Sequence, residues 1–248
     1  MTDSCRLNMI RLLTATMSVV ALAAIAGAQE RPPIVQQLAK TYGLDSWEQI
    51  EKLRYTFNVE SAVVKVARSW EWDPSTDLIT YEGKDKDGKP VKLTYLRSEL
   101  DSQSDAVKNE IDPAFVNDQY WLLFPFHVTW DASATVTDEG MQKLTLGQGS
   151  AQRVVVKYPS GGGYAPGDTW ELYLGADHRV EEMVYHGGAP GIQKRPNLLI
   201  VTWTDHKKAG PLLVSTDHRG TADGKPIRVF LSDVSVKLRG SDSWLNAQ

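Results

Sequence analysis

The sequence predicts a mainly β fold of the α+β kind: a single highly curved antiparallel sheet, an unclosed barrel, with a few helices packed on its concave face. Three observations point there. Long stretches alternate apolar and polar residues with a period of two, as in Leu53, Tyr55, Phe57 and Val59 against Arg54, Thr56, Asn58 and Glu60. Helical signals are confined to a short N-terminal segment and one central block between two groups of strands. That block ends in the most aromatic stretch of the chain, Asp112 to Asp131, whose apolar side chains must be buried against the sheet.

The first residues read as a leader. Arg6 and Arg11 precede an uncharged apolar run, Leu12 to Ala26, and Ala26-Gly27-Ala28 is an A-x-A cleavage pattern. The run is shorter than the roughly 20 apolar residues a membrane span needs. Residues 1–28 are therefore expected to be a signal peptide, and 29–248 a single half-barrel domain, secreted, periplasmic and not stably inserted in a membrane. The chain's only cysteine, Cys5, lies in the leader, so the mature chain forms no disulfide. Losing Asp3, Arg6 and Arg11 takes the net charge from −4 to −5. With no cluster of Lys and Arg, nucleic acid is not an expected partner.

The elements follow in order. Ile34 to Tyr42 carries Ile34 and Leu38 on one helical stripe, with Pro33 before it and Gly43 as its stop. Ser46 to Lys52 suits a further helical turn. Leu53 to Glu60 is a strand. Val64, Val66, Trp70 and Trp72 share the parity of a second, Leu78 to Glu82 returns after an Asp-Pro turn, and Val91 to Tyr95 follows the polar turn Lys84 to Lys89. Ser98 to Ile111 is polar and helix-compatible. Asp112 suits a helix cap and Pro113 the first helical position, while Pro125 should stop the helix near Phe124. Strands are expected again over Lys143–Gly147, Arg153–Tyr158, Thr169–Leu174, Arg179–His186, Leu198–Thr204, Leu212–Thr216, Ile227–Leu231 and Val234–Leu238. No repeat or linker divides the chain.

The chemistry-bearing residues do not form a known catalytic pattern. None of the five histidines lies in H-x-x-x-H or H-E-x-x-H, so no metal and no cofactor is expected. Asp177-His178-Arg179 and Asp217-His218-Arg219 both read as turns. Gly161-Gly162-Gly163 lacks the Lys-Ser/Thr of a phosphate loop and reads as a flexible hairpin loop; G-x-S-x-G is absent. Glu181 and Glu182 alternate across a strand and do not face one another. The aromatic stretch either plugs a core or lines a pocket. On the second alternative the ligand-binding residues are Trp70, Trp72, Phe115, Tyr120, Trp121, Leu122, Phe124, Phe126 and His127. For His127 the competing role is a core histidine bonded to a carbonyl or to Asp131.

The strings Trp70-Glu71-Trp72, Asn117 to Phe126 (NDQYWLLFPF) and Gly167 to Tyr173 (GDTWELY) resemble those of a group of secreted bacterial proteins of uncharacterised role. The order of leader, helix, hairpins, helical insert and further strands resembles the periplasmic lipoprotein-carrier fold across the whole mature chain. That resemblance implies an apolar cavity, capped by helices, that shelters acyl chains. It does not place the arginine with which carriers hold their lid, so lipoprotein delivery is not part of the expectation. The expected function is non-catalytic binding of an apolar small molecule, a lipid or acyl chain. The alternatives are a cell-envelope hydrolase acting on lipid or glycan, and a structural protein-interaction module whose protein partner is unknown.

Overall fold

A computed structural model describes residues 31–85, 87–161, 165–188 and 196–248. The predicted leader and Gly162-Gly163 lie outside them. The elements are α1 (Pro33–Tyr42), β1 (Ile50–Ser61), β2 (Lys65–Asp73), β3 (Leu78–Lys84), β4 (Pro90–Leu96), α2 (Asp112–Trp130), β5 (Thr135–Lys143), β6 (Ser150–Lys157), β7 (Thr169–Leu174), β8 (Val180–His186), β9 (Leu198–Thr202), β10 (Thr204–Ala209), β11 (Leu212–Ala222), β12 (Lys225–Leu238) and β13 (Trp244–Asn246). The strands form one 13-stranded sheet in the order β4-β3-β2-β1-β12-β11-β9-β8-β7-β6-β5, with β10 beside β11 and β13 beside β12. Every strand pair is antiparallel. β4 and β5 are not paired with each other, so the sheet is open.

Register places the large apolar residues on one face. Leu53, Trp72, Ile79 and Tyr95 line up across four strands, and Tyr55, Trp70 and Tyr81 form the next row. All are buried. The helix α2 crosses this face. Its Phe115 meets Trp70 and Trp72 of β2 at ring separations of 5.4 and 5.6 Å, and its Phe124 meets Trp170 of β7 at 4.5 Å. A flat sheet would hold β2 and β7 about 29 Å apart at the usual strand spacing, while the helix between the two Phe residues rises only about 14 Å. The sheet therefore curls around α2. At one end α1 packs through Ile34, Val35, Leu38 and Tyr42, the Tyr42 hydroxyl bridging His206 Nε2 and the Val180 N–H. Gly43 ends α1 at φ 96°, where a Cβ would lie 2.4 Å from the Pro211 oxygen.

Several expectations need correction. The helical run does not begin at Asp112. A π-helical turn, Val107–Ile111, runs straight into it, and it sits where the missing N–H of Pro113 would interrupt the ordinary ladder. Asp112 is buried at the junction and accepts bonds from Tyr95 Oη (3.0 Å) and Arg97 Nε (2.9 Å) of the β4 end. Nor does the helix stop near Phe124. Pro125 kinks it, Leu123 absorbing the change at φ −119°, ψ 15°, and helix resumes to Trp130 because Phe126 and Val128 are buried beyond the kink. Lys143–Gly147 is a strand end and a turn. The N–H groups of Thr145 (2.7 Å), Leu146 (3.0 Å) and Gly147 all converge on the buried Glu182 carboxylate, which strand geometry does not allow. Asp217-His218-Arg219 is not a turn but the middle of β11, with His218 facing the core; His178 is in a turn, at φ 59°. β5 and β10 are largely exposed and polar, β13 is an edge strand of three residues, and none of them shows a period-two apolar signal.

Phe124 is fully buried. Phe124→Ala is expected to cost about 3–5 kcal/mol of stability, measured by chemical denaturation; a loss below about 1 kcal/mol would show that the ring is not core.

Candidate functional site

The aromatic rings fill one half of the concave face and stop short of the other. Along β1 the inward residues run Leu53, Tyr55, Phe57 and then Val59; along β2 they run Trp72, Trp70, Arg68 and then Val66. Where rings give way to valines, space remains. It has two parts. A groove of about 810 Å³ lies between β1–β4 and the turn leading into α2, with Val59, Val66, Val91, Leu93, Ile111 and Ala114 among its walls. A chamber of about 270 Å³ lies beside α2, between Phe57, Val229, Leu199, Trp121 and Trp170. Val59, Val66 and Arg68 line both, so the two parts adjoin there.

Arg68 is held by the helix. Its Nε and Nη2 donate to Asp118 Oδ2 (2.7 Å) and Oδ1 (2.5 Å), Trp70 Nε1 donates to Oδ2 (2.9 Å), and Asn117 Nδ2 to Oδ1 (3.1 Å). Asp118 is completely buried. Burial pushes its carboxyl up, against the Arg68 charge and the hydrogen bonds that favour the ionised form. Burial likewise opposes the charged guanidinium, but Asp118 outweighs it and Arg68 is raised above its ordinary value. The pair is a charged bolt between α2 and β2, at the junction of groove and chamber.

A second polar cluster closes the far end of α2. Asp131 accepts from Tyr120 Oη (2.7 Å), Tyr158 Oη (2.6 Å) and His127 Nδ1 (3.1 Å), while His127 Nε2 meets Gln119 Oε1 at 3.2 Å. Burial works against the Asp131 carboxylate, yet the bonds from His127, Tyr158 and Tyr120 hold it below the usual range. Arg31 clasps the Asp131 and Ala134 carbonyls at 2.6 and 2.7 Å. The cluster ties α2 to β6, and none of its members lines the groove or the chamber. Among the described residues no three His, Cys, Asp or Glu side chains converge as a metal site would require.

The structure distributes the residues expected to bind ligand as follows. Trp121 lines the chamber. Trp70, Trp72, Phe115, Leu122, Phe124 and Phe126 are packed in the core around it. Tyr120 and His127 stack at 3.8 Å and belong to the Asp131 cluster. Arg68, Asn117 and Trp170 line the chamber and were not among the expected residues. One signal for Arg68 is its parity: it shares the inward side of β2 with Val66 and Trp70.

No family model matches this chain, and no curated protein matches it. Solved structures do. The fold is an open half-barrel. It is similar to a DUF1329 family protein of Desulfovibrio piger, at 9% identity over 84% of this chain and 94% of that one, with a TM-score of 0.44. It is similar to the lipoprotein LppX of Mycobacterium tuberculosis, at 7% identity over 83% and 96%, with a TM-score of 0.30. A looser likeness is to a chain of the Pseudomonas aeruginosa MucA/MucB complex, at 11% identity over 84% and 93%, with a TM-score of 0.22. The functional reading below rests on the cleft.

Removing one half of the bolt leaves the other charged and without its partner. Asp118→Ala is expected to destabilise by about 3–5 kcal/mol in urea denaturation, and a neutral effect would contradict the role assigned here. A pH effect follows from His218, buried between Trp121 (5.3 Å) and Trp203 (4.7 Å). Burial pushes its pKa down to about 3. The unfolded chain takes up that proton near pH 6.5 and the folded chain does not, so His218 lowers stability as pH falls below 6.5, by roughly 1.4 kcal/mol per unit. Between pH 6.5 and 5, His218→Leu should flatten the slope of unfolding free energy by about that amount; an unchanged slope would refute the assignment.

Proposed function

We propose that the protein is a non-catalytic binder of an apolar ligand, a lipid or acyl chain, held in the cleft between α2 and the sheet. The observation that carries this reading is the adjacency of groove and chamber at Val59, Val66 and Arg68, with mostly apolar walls. A groove of about 810 Å³ falls in the usual range of small-molecule sites, about 300–1,000 Å³. Each methylene buried there contributes roughly 0.8 kcal/mol. Ten would contribute about 8 kcal/mol, enough to offset much of the cost of ordering a flexible chain. In this reading Trp121 is a wall of the site, and the other aromatic residues of α2 hold that wall in place.

The reading sets the protein in the cell envelope. Its support is the leader pattern of residues 1–28, together with the fact that no helix among the described residues is long and apolar enough to cross a membrane. A binder of acyl chains exported in this way meets its ligand at or between membranes.

The test uses the mature protein and a fluorescent fatty-acid analogue. Val66 is half-buried where groove and chamber meet, so Val66→Trp would fill the junction while disturbing little of the core. The expected result is saturable binding by the parent and at least about tenfold weaker binding by Val66→Trp, with similar denaturation midpoints; tenfold corresponds to about 1.4 kcal/mol. Absence of probe binding by the parent, or equal binding by both, would overturn the proposal.

A further inference from the structure

The walls of the chamber hold hydrogen-bond donors that the protein leaves unused. Trp170 lines it, and its Nε1 is buried with no hydrogen-bond partner. Buried donors without an acceptor are uncommon, and each is costly unless something meets it. The ring is not loose: it packs on Phe124 at 4.5 Å and on Tyr185 at 4.8 Å. Arg68 lines the same chamber. Asp118 engages its Nε and Nη2, and no hydrogen bond reaches Nη1 among the described residues. Asp118, Trp70 and Asn117 form a fixed support for the guanidinium, so that Nη1 is held in place rather than swinging freely.

The groove differs from the chamber. Its ionic residues balance in number, Lys65, Arg68 and Lys84 against Glu60, Asp85 and Glu110, and its inner wall is aliphatic through Val91, Leu93, Ile111 and Ala114. Such a wall suits a hydrocarbon chain and selects no head group. The chamber, by contrast, has Arg68 and Trp170 in its wall, together with Asn117 and Tyr185.

We propose that the ligand is an acyl amphiphile with an anionic acceptor head, of the chemical class of a long-chain carboxylate. Its head group accepts from Arg68 Nη1 and Trp170 Nε1 in the chamber, and its chain lies along the groove. The proposal rests on the acyl-binding reading of the cleft and adds the head-group chemistry. A charge-assisted bond from an arginine and a bond from a buried indole both favour a carboxylate over a hydroxyl of equal chain length. The Arg68–Asp118 pair carries no net charge of its own, so the selectivity comes from placed donors rather than from an overall positive field.

The test compares dodecanoate with dodecanol at pH 8, each displacing a fluorescent apolar-site dye, anilinonaphthalene sulfonate, from the mature protein. Dodecanoate is expected to bind at least about tenfold more tightly than dodecanol. Trp170→Phe keeps the ring and removes the N–H, and should weaken dodecanoate about fivefold and dodecanol by less. Arg68→Lys should do the same more strongly; should that variant fail to fold, Trp170→Phe decides the matter alone. Equal binding of acid and alcohol by the parent, or an equal loss of both in Trp170→Phe, would overturn the head-group proposal and leave the cleft reading standing. Failure of both compounds to bind would overturn the two together.

Discussion

The contact on which the rest of the molecule depends is the grip of Asp118 on Arg68 and Trp70. A carboxylate with no exposure to solvent is tolerable only with full hydrogen bonding and an opposite charge, and here β2 supplies both. A helix apolar on all sides has no preferred rotation against a greasy sheet. Asp118 removes that freedom, because only one rotation brings its oxygens to Arg68 and the Trp70 indole. With α2 so fixed, Phe115 faces Trp70 and Trp72, Phe124 faces Trp170, and Trp121 forms a wall rather than a plug.

The cleft is a consequence of side-chain size along three strands. The sheet carries Tyr, Phe and Trp where α2 lies close to it, and Val59, Val66, Ile227 and Val229 where it does not. The half of the sheet with the smaller side chains stays unfilled. The π turn before Pro113 adds to this. It moves Ile111 and Ala114 over the groove as a ceiling, while Asp112 anchors that ceiling to Tyr95 and Arg97. Polar clusters at Asp131 and Glu182 hold other connections, and the concave face carries apolar contacts together with the Arg68–Asp118 and Arg97–Asp112 ion pairs.

Much of the architecture was legible in the sequence. The alternation in β1 to β4 and the aromatic block gave the sheet class and the helix that packs on it, because period-two burial and an all-apolar helix each have few other solutions. The helix ends were not legible. Pro125 is a stop signal in local terms, but burial of Phe126 and Val128 beyond it outweighs one lost hydrogen bond. Asp112 read only as a cap, because no local cue reveals a tertiary partner such as Arg97. The largely exposed strands β5 and β10 and the three-residue β13 bury little on either face and therefore leave no periodic trace. Of the site, Trp121 was visible through its aromatic neighbourhood. Arg68 was visible in principle, as a charge at an inward position between Val66 and Trp70, and Asp118 as a charge within the greasiest helix; each is explained only by the other. Trp170 gave no signal, since an indole reads as core whether or not its N–H has an acceptor.

The central claim is that the space beside α2 holds a hydrocarbon chain. The measurement that tests it most directly is a crystal structure of the mature protein grown with a fatty acid brominated near the end of its chain, with the bromine located by anomalous scattering. The account predicts a bromine peak in the groove among Val91, Leu93, Ile111 and Ala114. A bromine peak only on the outer surface of the sheet, or none in a crystal whose groove is filled by its own side chains, would contradict it.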